Sequence, residues 1–165
     1  MSNRTFTIIK PDSVRKGNFG KIISRHNNIE LVVVISALGK TTNALEEVAQ
    51  LFFKKNTTGA RKKIDELEKQ HDEIARALVK DRDNLLYSEL QRLFTRLRET
   101  GEIYHTDNYN FLYDQIVSMG ELLSTRIMAA YLQTLKLNVT WLDARMPGDV
   151  RFIPEALVCQ TAEDT

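Results

Sequence analysis

Residues 31–35 read Leu31-Val32-Val33-Val34-Ile35. An uninterrupted apolar run of that length, mostly β-branched, has no polar face to offer water, so as a strand it has to be covered on both sides. A parallel sheet with helices above and below meets that demand, and an open antiparallel sheet with one wet face does not. The residues that follow agree. Asn43 and Glu46 stand in capping-box spacing, and Leu45, Val48, Leu51 and Phe52 then recur at helical intervals. The expected class is α/β, with residues 31–35 as a central strand and a helix directly behind its carboxyl end.

The flanking segments fill in an outline. Residues 5–10 predict a second short strand, closed by Pro11, which has no amide to donate. Residues 14–25 are weakly helical behind a cap at Asp12 or Ser13, although Gly17 and Gly20 each cost about 1 kcal/mol against alanine in a helix interior. Residues 54–102 hold 12 of the chain's 23 basic and 10 of its 22 acidic side chains, with Ile64, Leu67, Ile74 and Leu78 threaded through them. Such a pattern predicts a long charged helical hairpin turning near Asp83 and Asn84. Its second member carries Leu86, Leu90, Leu93, Phe94 and Leu97 on one face. Closely mixed signs mark a solvated helix face and not a nucleic-acid surface.

Residues 109–131 predict two helical pieces, joined where Ser118 and Glu121 repeat the capping-box spacing beside Gly120. Residues 139–142 predict a short buried strand. Beyond Arg145, Pro147, Gly148 and Pro154 interrupt the chain, so residues 1–150 are expected to form one domain and residues 151–165 a loosely ordered tail.

Composition narrows the function classes. The formal net charge is +1, which supplies no long-range field for nucleic acid or an acidic membrane surface. Cys159 is the only cysteine, so no internal disulfide and no thiol-based zinc site can form, and a cytoplasmic setting is expected. No stretch approaches the roughly 18 apolar residues that span a bilayer. No metal-ligating cluster is expected from the sequence.

Three blocks carry a family resemblance. They are Leu31-Val32-Val33-Val34-Ile35-Ser36-Ala37-Leu38-Gly39-Lys40-Thr41-Thr42-Asn43-Ala44-Leu45, then Ile116-Val117-Ser118-Met119-Gly120-Glu121-Leu122-Leu123-Ser124-Thr125-Arg126, then Trp141-Leu142-Asp143-Ala144-Arg145. Their order, and the charged hairpin between the first two, resemble the amino-terminal half of the aspartate kinase catalytic domain over about residues 30–145. Aspartate kinases belong to the amino acid kinase family. The resemblance implies a partial three-layer α/β/α sandwich with a mainly parallel sheet. It also implies ATP- and Mg2+-dependent phosphorylation of L-aspartate, on the route to lysine, methionine and threonine. Carried over by motif, Ser36 and Thr42 lie in the loop behind the central strand as substrate-binding residues, and Glu121 approaches the substrate's amino group.

Elementary chemistry points the same way. A small zwitterion needs hydroxyl or backbone donors for its carboxylates and an anion for its ammonium, and helix amino-termini behind parallel strands supply donors. The competing structural readings are that Thr42 helps cap its helix and that Glu121 closes a capping box with Ser118.

The amino-terminus departs from this family. Arg4-Thr5-Phe6-Thr7-Ile8-Ile9-Lys10-Pro11-Asp12-Ser13-Val14 lacks the glycine pair with which aspartate kinases hold phosphate, and residues 3–23 instead resemble the opening of nucleoside diphosphate kinases. That second resemblance implies Lys10 near nucleotide phosphates. It does not extend to the phosphate-accepting histidine, because none of His26, His71 or His105 has a glycine-serine-rich setting. Gly39-Lys40-Thr41 is not a Walker loop either, since Val34 occupies the place of the earlier glycine.

Residues 146–165 show no further aspartate kinase motif. The expected chain is therefore an aspartate kinase-like protein without the ATP-binding half. A different reading makes it a non-catalytic interaction module built on the hairpin, and nucleoside diphosphate kinase activity ranks third. An incomplete parallel sheet exposes an edge, so pairing with a second copy or a complementing chain is expected.

Overall fold

The computed structural model describes residues 4–8, 30–104, 106–143 and 145. Two strands, β1 (Arg4–Ile8) and β2 (Glu30–Val34), pair in parallel, with Arg4 opposite Glu30 and Ile8 opposite Val34. Five helices follow among the described residues: α1 (Thr41–Phe53), α2 (Thr57–Leu78), α3 (Leu85–Ile103), α4 (Tyr109–Val117) and α5 (Met119–Thr134). The apolar run that predicts a central strand is β2, and its partner is parallel as expected. Among the described residues the sheet has these two strands. The expected helix over residues 14–25 and the expected tail over residues 151–165 lie outside the described residues.

The turn from β2 into α1 depends on Gly39, whose φ of 57° lies in the left-handed region that favours glycine. Helix α1 starts at Thr41, behind Lys40, and no side chain caps it. The capping box expected at Asn43 and Glu46 does not form, because the glycine turn starts the helix two residues earlier and leaves Asn43 inside the first turn. Glu46 instead accepts a hydrogen bond from the Tyr113 hydroxyl at 2.8 Å, tying α4 to α1. That bond, helped by burial, pushes the Tyr113 hydroxyl up to about 12.

The charged hairpin is α2 and α3. Asn56 caps α2 by accepting from the Gly59 amide at 3.0 Å, and Asn84 caps α3 by accepting from the Leu86 amide at 3.0 Å. Arg98 of α3 reaches across to Asp65 at 2.6 Å and also bonds Glu68, both on α2. The interior stripe of α2 is Ala60, Ile64, Leu67, His71 and Ala75. Ile74 does not join it and is exposed, while Leu78 is half-buried and packs against the main core.

The main core gathers Leu45, Val48 and Phe52 of α1, Leu86, Phe94 and Leu97 of α3, and Ile116, Met119 and Leu123 around the α4–α5 junction. A smaller cluster of Ile35, Met128 and Leu132, with Val33 against it, seats the end of β2 on α5. At the junction Ser118 has helical φ and ψ and makes no capping bond to α5. Its hydroxyl donates back to the Gln115 carbonyl at 3.5 Å. The Ser118–Glu121 capping box is thus absent, because the chain passes from α4 to α5 without the extended residue a cap requires. Residues 139–142 do not form the expected strand. They are half-buried or exposed, and bonds from the Trp141 indole to Thr125 and from the Gln133 amide to the Val139 carbonyl tie them to α5.

Candidate functional site

Ser36 is exposed in the loop after β2, Ala37 is buried behind it, and the Leu38 carbonyl accepts from the Thr41 amide at 3.0 Å as α1 begins. Thr42 is half-buried as the second residue of α1. The first turn of α5 presses onto this corner through Gly120. A Cβ built there would lie 3.0 Å from Cβ of Ala37, 3.2 Å from Cδ1 of Leu45 and 3.4 Å from Cγ2 of Thr41. The three substrate-binding candidates border that single contact. Ser36 precedes Ala37, Thr42 follows Thr41, and the exposed Glu121 follows Gly120.

The starts of two helices therefore meet beside one loop, and the positive end of a helix dipole favours an anionic ligand. Glu121 adds the only acidic side chain in the first turn of α5. Lys10 lies outside the described residues.

Gly120 is where this arrangement is most easily broken. Valine at that position is expected to destabilise the fold by about 1–3 kcal/mol, the usual penalty for overpacking. Urea denaturation should show a lower midpoint with an unchanged slope, and a wild-type midpoint would refute the close approach.

Behind the corner sits His71, a residue that sequence reasoning weighed only as a phosphate acceptor. It is 1% exposed. Its Nδ1 donates to the Leu67 carbonyl at 2.8 Å, Nε2 lies 3.5 Å from Oγ1 of Thr41, and its ring meets Phe94 edge-on at 5.7 Å. The available signal was its place in the α2 stripe, one turn after Leu67 and one before Ala75.

Burial lowers the His71 pKa from the ordinary value of 6.5, opposed in part by the Leu67 carbonyl, which favours the charged ring. As pH falls below 6.5 the unfolded chain takes up this proton before the folded one. This contribution to stability is therefore fully present above that pH and lost progressively below it. Thermal unfolding followed from neutral to mildly acid pH should show the decline, and His71→Phe should flatten it. An equally steep decline in the variant would assign the effect to other groups.

The third block is anchored to α5. The Trp141 indole Nε1–H donates to Oγ1 of Thr125 at 3.0 Å, and the Arg126 guanidinium stacks over the indole with its carbon 3.5 Å from the ring centre. Arg126 also pairs with Glu89 of α3 at 3.1 Å, and the Thr125 hydroxyl donates to the Glu121 carbonyl at 2.7 Å. Trp141 is thus fixed one helical turn beyond Glu121. Past it, Arg145 bonds Asp143 at 2.8 Å and holds that carboxyl below its usual range.

A separate open groove of about 650 Å³ runs between α2 and α3, lined by Asp65, Glu68, Asp72, Arg76, Tyr87 and others. None of Ser36, Thr42 or Glu121 borders it. Among the described residues no group of three or more His, Cys, Asp or Glu could hold a metal ion, and no helix is long and apolar enough to cross a membrane.

Comparison with solved structures finds the same architecture in Escherichia coli aspartokinase III. The form in complex with aspartate and ADP matches with a TM-score of 0.68 and 25% identity, over 85% of this chain and 31% of that one. The form in complex with lysine and aspartate matches with a TM-score of 0.69 and 23% identity, over 88% of this chain and 32% of that one, and at that identity it speaks for the fold alone. The chain thus spans about a third of the length of these kinases. A search of curated protein sequences gives no match.

The model of the amino acid kinase family matches residues 7–155. That range is wider at both ends than the three sequence blocks. It takes in most of the stretch that resembles nucleoside diphosphate kinases, whose strand β1 pairs in register with β2, and it passes Arg145. With nine-tenths of its length matched and an α/β arrangement shared with aspartokinase III, the chain belongs to the amino acid kinase family.

Proposed function

We propose that this chain is an aspartate kinase-like domain whose paired helix amino-termini bind L-aspartate. The observation that supports the reading most is the Gly120 contact, which brings the loop after β2, the start of α1 and the start of α5 to one point. In this reading Ser36, the Thr42 hydroxyl and the amides of α1 donate to the substrate carboxylates, and Glu121 accepts from its ammonium group. Low flexibility in these groups matters, because phosphoryl transfer depends on positioning and charge stabilisation more than on proton chemistry.

The transfer itself forms a bond between a side-chain carboxylate oxygen of aspartate and the terminal phosphorus of ATP, and breaks the bond to ADP. The carboxylate is already ionised at neutral pH, so no general base is needed. ATP and Mg2+ belong to the proposal through the family. The described residues include no group of three or more His, Cys, Asp or Glu that could hold a magnesium ion. Lys10, by its resemblance, would lie near the nucleotide phosphates. The full three-layer sandwich, the 1–150 domain limits and a cytoplasmic setting belong to the same proposal. So does a second copy or complementing chain that completes the nucleotide side.

The test is titration calorimetry of the purified chain with L-aspartate and, separately, with ATP and magnesium, followed by a coupled assay of ADP release with both. Saturable heat with L-aspartate and none with D-aspartate is expected. An absence of heat with L-aspartate would overturn the reading. Aspartate-dependent ADP release would show that the nucleotide side is present as well.

A further inference from the structure

We propose that His71 is a positioning residue for this corner: through Thr41 it sets the first turn of α1 against the start of α5. The proposal rests on the reading of that corner as an aspartate site, and it identifies what holds the site in shape from behind.

Three contacts fix the imidazole. The Nδ1–H bond to the Leu67 carbonyl at 2.8 Å selects one tautomer and leaves Nε2 as an acceptor. The edge-on contact with Phe94 of α3 sets the ring plane. Nε2 then lies 3.5 Å from the Thr41 hydroxyl, at the outer limit of a hydrogen bond, with Thr41 itself only 4% exposed. The groups that meet the ring are therefore a hydroxyl from α1, an aromatic face from α3 and a carbonyl from α2 itself. Among the described residues no ion pair involves His71.

Thr41 is β-branched, so one χ1 angle places both of its branches. With the hydroxyl turned toward His71, the Cγ2 methyl stands 3.4 Å from where a Cβ on Gly120 would be. Rotation of Thr41 would exchange these branches and change the surface on which Gly120 rests. Thr42 and Glu121 are the next residues along the chain from Thr41 and Gly120, so the rotamer that His71 selects reaches both candidate ligands. A phenylalanine would fill the same space and lie as well against Phe94, but it would leave the buried Thr41 hydroxyl without its acceptor.

The test uses the full chain and two readouts. In amide-resolved NMR without ligand, His71→Phe and Thr41→Val are each expected to shift the resonances of Thr42 and Glu121. The double variant should match the single variants and not their sum, and His71→Gln, which keeps an acceptor, should recover most of the wild-type positions. Shifts confined to α2 and α3, or additive ones, would overturn the proposal, because a residue that only fills the core has no reason to act through Thr41.

In calorimetry with L-aspartate, the same single variants are expected to raise the Kd roughly 2- to 10-fold, the size of one lost hydrogen bond. The double variant should again be no worse than either. If the wild-type chain gives no heat with aspartate, the ligand assignment fails, while the NMR coupling still decides whether His71 positions the corner.

Discussion

Phe94→Ala is expected to lower the free energy of unfolding by about 3–5 kcal/mol, the range for deleting a buried aromatic ring. The Phe94 side chain is 1% exposed and sits in α3 where that helix faces the interior stripe of α2. Its loss removes apolar burial and leaves a cavity, and it also takes away the face against which His71 packs at 5.7 Å. Against a typical total of about 5–15 kcal/mol for a domain, that is a large share. Urea denaturation should report a much lower midpoint with the slope preserved, and Phe94→Leu should recover part of the loss. A variant within 1 kcal/mol of wild type would mean that α2 and α3 can close over the gap, which contradicts the packing described above.

Glu121→Ala is expected to raise the Kd for L-aspartate about 10- to 100-fold, the scale of a lost hydrogen bond to a charged group. Stability should hardly change. The side chain is exposed in the first turn of α5, and only its backbone carbonyl serves the local structure, accepting from Ser124 at 3.0 Å and Thr125 at 2.7 Å. With the Ser118 capping box absent, the structural explanation for a glutamate here loses its main support. Glu121→Gln should also bind weakly, since an amide cannot offset an ammonium charge. Calorimetry on the two variants, with thermal unfolding alongside, separates the alternatives. Unchanged affinity would remove Glu121 from the site, and a collapse in stability would return it to a structural role.

How much of this was legible in the sequence depended on the kind of signal. The valine-rich run of β2 needs cover on both faces whatever its neighbours, so its strand character and parallel pairing could be read locally. The same holds for the hairpin, where Leu86, Leu90, Phe94 and Leu97 repeat at a helix period and Asn84 sits at the turn. Caps were less legible. Both capping-box patterns have the right spacing, yet a left-handed Gly39 starts α1 early and a helical Ser118 runs α4 into α5, and backbone angles are not written in residue spacing. The strand expected at residues 139–142 rested on hydrophobicity alone, which cannot distinguish a ladder from a segment held by the Trp141 and Val139 side chains and a Gln133 hydrogen bond.

For the site, family motifs named Ser36, Thr42 and Glu121, but the close approach of their chain neighbours Ala37, Thr41 and Gly120 depends on a missing side chain at Gly120. The sequence excludes His71 as a phosphate acceptor and says no more of it, and only the packing of three helices shows what its ring touches.

Trp141 is the chain's single tryptophan, and its indole is clamped between the Thr125 hydroxyl and the Arg126 guanidinium one helical turn from Glu121. The protein therefore carries its own optical probe. Indole emission responds to a nearby cation and to a hydrogen bond on its nitrogen, so any ligand that shifts the start of α5 should change intrinsic fluorescence without a label, and every substitution discussed above can be followed by that one signal.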